Sequence, residues 1–164
     1  MAIEKTISLS AEAKAVAARV GSLRDFLAYL GEHDQCVYWP DPVLPEPDIR
    51  NISVAAGNNV STGPAVIFDK IRGYPGKRIA VNVHGSFGNL ALLLGLPKTT
   101  PVRELFFEII RRWGSDKPLL ERVPPEKAPV NENRINKNIN LYDLLPLYRI
   151  NANGPLTSRT RKTV

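Results

Sequence analysis

Cysteine is all but missing from this sequence, Cys36 being the only one in 164 residues. That excludes an internal disulfide framework and any multi-cysteine zinc or iron–sulfur site, and it agrees with a reducing compartment. Histidine is nearly as scarce: His33 and His84 stand far apart, with no carboxylates at metal-ligand spacing around either. No run approaches the roughly 18 apolar residues that span a membrane. The N-terminus scatters Glu4, Lys5, Glu12, Lys14 and Arg19 where a secretory signal would put a basic start and an apolar block,. A cytoplasmic address with no membrane partner is the expectation. Internal repeats and low-complexity segments are also missing.

The charge present is positive, +6 overall. Arg159, Arg161 and Lys162 supply three of the six within the last ten residues, which hold no acid, so residues 1–154 carry 19 cations against 16 anions. A body so mildly basic, followed by a basic end with no aromatic interleaving to stack bases, argues against a nucleic-acid partner. With 43% hydrophobic and 23% charged residues, the chain has the composition and length of one globular domain.

The stretch 11–20 is alanine-rich and predicts a loosely packed N-terminal helix within residues 1–21. A firmer helix starts at Ser22, whose hydroxyl stands three residues before Asp25 in an approximate capping box,. Leu23, Phe26, Leu27 and Leu30 then form one apolar stripe, and Gly31 stands where a left-handed C-terminal cap is wanted. Residues 35–39 read as a strand stopped by the prolines at 40, 42, 45 and 47. Pro47 and Asp48 suit the first turn of a short helix whose face continues through Ile49, Ile52 and Ala56 to Gly57. Residues 64–71 and 78–83 predict a hairpin with one buried face, turning at Gly73–Gly76. A buried helix over 87–94 and an amphipathic helix from Pro101 to Trp113 follow. The fold class expected is therefore α+β, a small mixed or antiparallel sheet covered by helices, over residues 22–113. Residues 114–138, rich in proline, read as a linker or arm. Within 139–153, Leu141, Tyr142, Leu144 and Leu145 form an apolar turn suited to docking, and 154–164 is the basic tail.

Candidate chemistry is thin. His33 and His84 follow element ends and suit loop or capping roles better than catalysis. The loop Gly85–Gly88 lies between strand and helix and could offer N–H groups to an anion, yet it lacks the glycine spacing of either nucleotide loop. Ser86 is as well explained as an N-cap. Cys36, with no basic neighbour, reads as a small core residue, and Arg111 with Arg112 as cations at a helix's negative end. No residue is singled out as catalytic, cofactor-binding or metal-binding.

Four segments, SLRDFLAYLGEHDQ (22–35), GPAVIFDKIRGYP (63–75), LLLGLPKTTPV (92–102) and INLYDLLPLYRIN (139–151), occur together in order. The set resembles the N-terminal part of the UbiD family, in particular of its bacterial 4-hydroxybenzoate and phenolic acid decarboxylases. The resemblance spans about 22–153. It implies a lyase of aromatic acid degradation: a reversible, non-oxidative decarboxylation on prenylated FMN held with a divalent metal (Mn) and potassium. There the cofactor provides the electron sink, and the family's arginine and glutamates lie in a central domain with no counterpart in this sequence. The family pattern continues with Asp-Gly-Gly and a flavin-binding barrel, whereas this chain goes from Asn153 to Gly154, Pro155, Leu156, Thr157 and the basic tail. A frameshift with an early stop, or a designed truncation, is the expected origin of that tail. The resemblance thus implies an N-terminal fragment inactive alone and binding no cofactor tightly. The alternative is an interaction module that docks on UbiD-type subunits, as homo- or hetero-oligomer, through Leu141, Tyr142, Leu144 and Leu145.

Overall fold

The computed structural model describes residues 8–113 and 122–148. Residues 1–7, part of the arm at 114–121, and 149–164 with the basic tail lie outside the described residues, and so does the end of the segment assigned to docking.

Helix α1 (Ala11–Arg19) starts at Ser10, whose hydroxyl accepts the Ala13 N–H. Only Ala13 and Val16 of α1 are buried. Helix α2 (Leu23–Glu32) is capped by Ser22 as the sequence predicts: its hydroxyl accepts from Asp25 N and donates to the Asp25 carboxylate. Such a cap stabilises a helix by about 1 kcal/mol. The stripe is narrower than its spacing implied, with Phe26 and Leu30 buried and Leu23 exposed. Gly31 is not the cap. The helix runs on to Glu32, and Asp34 takes the left-handed conformation instead (φ 57°), a conformation that aspartate tolerates better than most residues.

Strand β1 (Cys36–Tyr38) ends before Pro40, as the prolines require. The helix expected at Pro47 begins later, as α3 (Arg50–Asn58). Residues 45–49 form a wide turn with Glu46 extended (φ −140°, ψ 130°), and Asp48 accepts the Leu44 N–H at 2.9 Å across it. Gly57 lies inside α3. Ile49 is nonetheless fully buried, with Ile52 and Ala56 packed behind it.

Strands β2 (Ala65–Phe68) and β3 (Ile79–Val81) pair antiparallel, with Gly73 (φ 83°) and Gly76 (φ 73°) in their connection. The hairpin therefore stands, but the single buried face does not: every residue of β2 is buried. The reason is that β1 pairs with β2 in parallel, giving the order β1-β2-β3 with β2 at the centre. Helices cover both faces of a central strand joined by a crossover. Val66, Phe68 and Val81 face Ile49, Val43 and Ile71, while Ala65 on the other face meets Phe26, Leu30 and Leu92.

Helix α4 (Phe87–Leu93) is capped by Ser86 and buries Gly88, Asn89, Ala91 and Leu92. Helix α5 (Val102–Arg112) has Pro101 at its N-cap and Trp113 at its C-cap. Between them Gly95 (φ 69°) lets α1 approach, since a Cβ there would come within 2.5 Å of Ala13 Cα. Over the described part of the arm, only a tight helical turn at Pro129–Asn131 is regular. Helix α6 (Leu141–Leu144) then begins at Asn140, whose side chain accepts from Tyr142 N. The result is the α+β arrangement expected, a small open mixed sheet between helices.

Candidate functional site

The residues that sequence reasoning weighed for chemistry are spent on holding structure. His33 caps α2: its Nδ1 lies 2.9 Å from the Tyr29 carbonyl, its ring packs on Tyr29, and its own carbonyl accepts from Lys98 Nζ at 2.7 Å. His84 stacks on Phe26, with centroids 5.3 Å apart and planes 14° from parallel. Cys36 lines the underside of α2, and burial pushes its thiol up from the usual value, which keeps it protonated and a poor nucleophile,.

The loop between β3 and α4 turns the N–H groups of Gly85, Phe87 and Gly88 onto the fold. Gly85 N donates to Asn82 O, Phe87 N to Val60 O at 2.8 Å, and Gly88 N to Ser61 O at 2.9 Å. Ser86 Oγ accepts from Asn89 N. These bonds seat the loop against residues 60–61.

Asn82, which no sequence signal marked, organises this corner. It sits at φ 55°, and its Nδ2 donates to Gly63 O and Pro64 O at 3.1 and 3.0 Å, with Ala56 O at 3.4 Å. Asn89, fully buried, donates back to the carbonyls of Asn82 and Val83. The two amides tie α3, β2 and α4 together. Their partners lie 6 to 26 positions away, so only the fold reveals them.

Arg111 and Arg112 are held more firmly than a dipole preference requires. Both guanidinium groups reach the Glu108 carboxylate, at 2.6–2.7 Å, and Arg112 also donates to Leu94 O. The Arg111 bond, opposed by burial and seconded by Arg112, draws the Glu108 carboxyl from 4.5 down to about 2. This cluster locks α5 to the end of α4.

A cleft of about 630 Å³ lies between α2 and the three strands. Leu23, Leu27, Tyr38 and Ile67 give it an apolar floor, and Arg24 and Arg78 line it without any carboxylate. Among the described residues no three His, Cys, Asp or Glu side chains come together as a metal site. No described helix is long and apolar enough to cross a membrane. The described residues present shaped apolar surfaces and charge, and the one hydroxyl–carboxylate pair described above, Ser22 with Asp25, serves as a helix cap.

A family model for the N-terminal domain of 3-octaprenyl-4-hydroxybenzoate carboxy-lyase matches residues 27–109, half of the chain. The chain belongs to the UbiD family. Curated relatives agree: the phenolic acid decarboxylases of Bacillus subtilis (strain 168) and Sedimentibacter hydroxybenzoicus are 45% identical over 128 residues and 46% identical over 129. These alignments cover 78% and 79% of this chain and 27% of each relative. Among solved structures, the vanillic acid decarboxylase of Sedimentibacter hydroxybenzoicus in its closed form matches with a TM-score of 0.68 at 46% identity, over 79% of this chain and 27% of that one. Its open form, solved with truncated ShVdcD, matches equally well. The chain therefore spans about a quarter of the length of the UbiD relatives it matches, and the fold they share with it over that quarter is the open α+β sheet described above.

Proposed function

We propose that this chain forms the N-terminal domain of a UbiD-type non-oxidative decarboxylase of aromatic, hydroxyarylic acids, and that it does not turn over substrate by itself. The observation that carries this reading is the match to the family's N-terminal domain together with the share of each relative that is covered, 27%. The side chains support it, because the histidines and the loop at 85–88 are engaged in capping, stacking and backbone bonds, and Cys36 packs against the core with its thiol pushed up by burial. Prenylated FMN, with its divalent metal and potassium, is what family membership implies for the intact enzyme. The described residues do not fit that group: they bring together no acidic or histidine set for the metal, and in the loop before α4 the N–H groups of Gly85, Phe87 and Gly88 are taken by backbone carbonyls. No step through the flavin is assigned to this segment.

The test is direct. Purified chain with 4-hydroxybenzoate, prenylated FMN, Mn²⁺ and K⁺ is expected to release no carbon dioxide above a protein-free control. Release that scales with chain concentration overturns the reading.

A second reading, docking onto a UbiD-type subunit through Leu141, Tyr142, Leu144 and Leu145, has one observation in its favour. Leu141 and Leu145 are about half exposed, while the backbone beneath them is tied down, the Tyr142 carbonyl accepting from Tyr74 Oη. A full-length relative added to the chain should slow hydrogen exchange over 141–145. Unchanged exchange rules that contact out.

A further inference from the structure

Strand alternation leaves one face of the sheet covered along only part of its length. Cys36 and Tyr38 point to the same side, as do Ala65 and Ile67, and the pairings Cys36 with Ala65 and Tyr38 with Ile67 and Ala80 set these side chains in two rows across it,. The first row is closed, because Phe26, Leu30 and Leu92 pack on Ala65, with Cys36 at their edge. The second row forms one wall of the cleft of about 630 Å³, and Leu23 and Leu27 of α2 form the other. Ile67 is recessed there, 6% exposed, and Tyr38 stands at the rim, 58% exposed. Arg24, in the first turn of α2, and Arg78, directly before β3, line the same cleft. Both are exposed, and neither has an ion pair or side-chain hydrogen bond among the described residues. Asp25, the acid next to Arg24, is turned to the Ser22 hydroxyl at 2.7 Å and is not part of the lining.

We propose that this cleft binds a small apolar monoanion, an alkyl or aryl body seated between Leu27 and Ile67 with its anionic head held by Arg24 and Arg78. Size and charge argue for this occupant. The cleft falls within the roughly 300–1,000 Å³ of small-molecule sites, which are mostly apolar with a few polar groups that fix orientation. Two cations without a lining carboxylate are complementary to an anion, and a guanidinium presents the paired donors that a carboxylate or sulfonate accepts. The division of the lining decides against a highly charged ligand such as a nucleotide. Its polar groups would have to be buried against Leu27 and Ile67 with nothing to bond, whereas a monoanion keeps its charge beside the exposed arginines. The site is made by residues 22–80 and stands whether or not the chain supports a decarboxylase.

Cys36 lines the cleft and is the only cysteine in the chain, so its alkylation by N-ethylmaleimide, a neutral reagent, reports occupancy at this place. The whole chain is titrated separately with octanoate and with naphthalene-2-sulfonate, an aryl anion that cannot be decarboxylated, and 1-octanol serves as the uncharged counterpart. At least one of the two anions should slow alkylation, with a dissociation constant below about 1 mM, as ligands of so few atoms reach. The one that protects better identifies the body as alkyl or aryl. 1-Octanol should protect less well than octanoate by at least about threefold. Arg24→Gln and Arg78→Gln, with unchanged circular dichroism, should each weaken protection about threefold and together about tenfold, the scale of exposed charge pairs. Phe106→Glu, on the exposed side of α5 away from the cleft lining, should leave protection as it is. Absence of protection by both anions up to about 5 mM, a level weaker than specific binding, would overturn the proposal. So would equal protection by 1-octanol and octanoate, protection indifferent to both arginine variants, or protection lost with Phe106→Glu.

Discussion

Glu108 holds two cations with one side chain. Its carboxylate receives both Arg111 and Arg112, its side chain is 17% exposed, and its pKa falls to about 2 from 4.5. A carboxyl whose folded pKa is depressed stabilises the fold above its unfolded pKa, and that contribution fades as pH falls toward the folded value. The window is therefore between pH 4.5 and about 2. A downward shift of this size, discounted for solvent, corresponds to about 1–3 kcal/mol. Glu108→Gln is expected to cost that amount at pH 7, and the gap from the unsubstituted protein should close on acidification through the window. Urea unfolding at several pH values checks this; a gap that does not change with pH means the ion pairs contribute nothing. The pairing at this site was half legible, since the two arginines fall in the last turn of an amphipathic helix and Glu108 stands three and four residues before them. Asn82 was not legible at all. Its importance lies in carbonyls at 56, 63 and 64, and a linear sequence says nothing of which carbonyls converge on one amide.

Elements were legible where the signal was local. Ser22 and Ser86 cap the helices their spacing predicted, and the prolines after Trp39 stop β1. Errors arose where two local solutions compete. Gly31 and Asp34 can both end α2; the helix keeps its hydrogen bonds longer and uses the aspartate, because His33 N and Gln35 N both find the Leu30 carbonyl that way. Strand pairing was out of reach, since whether β1 lies parallel on β2 depends on the path of residues 40–64. The contact between α1 and Gly95 belongs to this scale. Gly95 follows α4 in the left-handed region, and its missing side chain leaves room for Ala13. Gly95→Ala has nowhere to put its methyl without moving the α1 backbone, and φ 69° is itself unfavourable for alanine,. Because α1 buries only Ala13 and Val16, it is the element that should yield. Hydrogen exchange is expected to accelerate over 13–19 while β2 and α4 keep their protection. Uniform acceleration across the sheet would show instead that α1 is part of the cooperative core.

The whole molecule is closed by a contact across 68 residues. Tyr74, in the β2–β3 connection, donates its hydroxyl to the Tyr142 carbonyl, and Tyr148 packs beside Tyr74 on the cluster of Val43, Ile49 and Phe68. The described part of the segment after the arm, 139–148, is thus fastened to the sheet face formed by Val66 and Phe68. This explains why the segment that sequence reasoning assigned wholly to docking is divided: Pro146 is buried and Tyr142 and Tyr148 are partly buried, while Leu141, Leu145 and Leu147 face outward. Apolar content alone could not show that division, because the side chains that return to the sheet and those that face out are interleaved within eight residues. Tyr74→Phe removes the hydroxyl and little else, leaving a backbone carbonyl without its partner at a cost of about 1 kcal/mol. That cost falls on the segment 139–148, since the Tyr74 ring keeps its place against the core. Exchange over 140–148 should rise several-fold in the variant, and the unfolding midpoint of the sheet, followed through Trp39 fluorescence in a Trp113→Phe background, should barely move. If both shift together, the segment 139–148 is a structural part of the domain, and Leu141 and Leu145 can present themselves to a partner only while the sheet beneath them is intact.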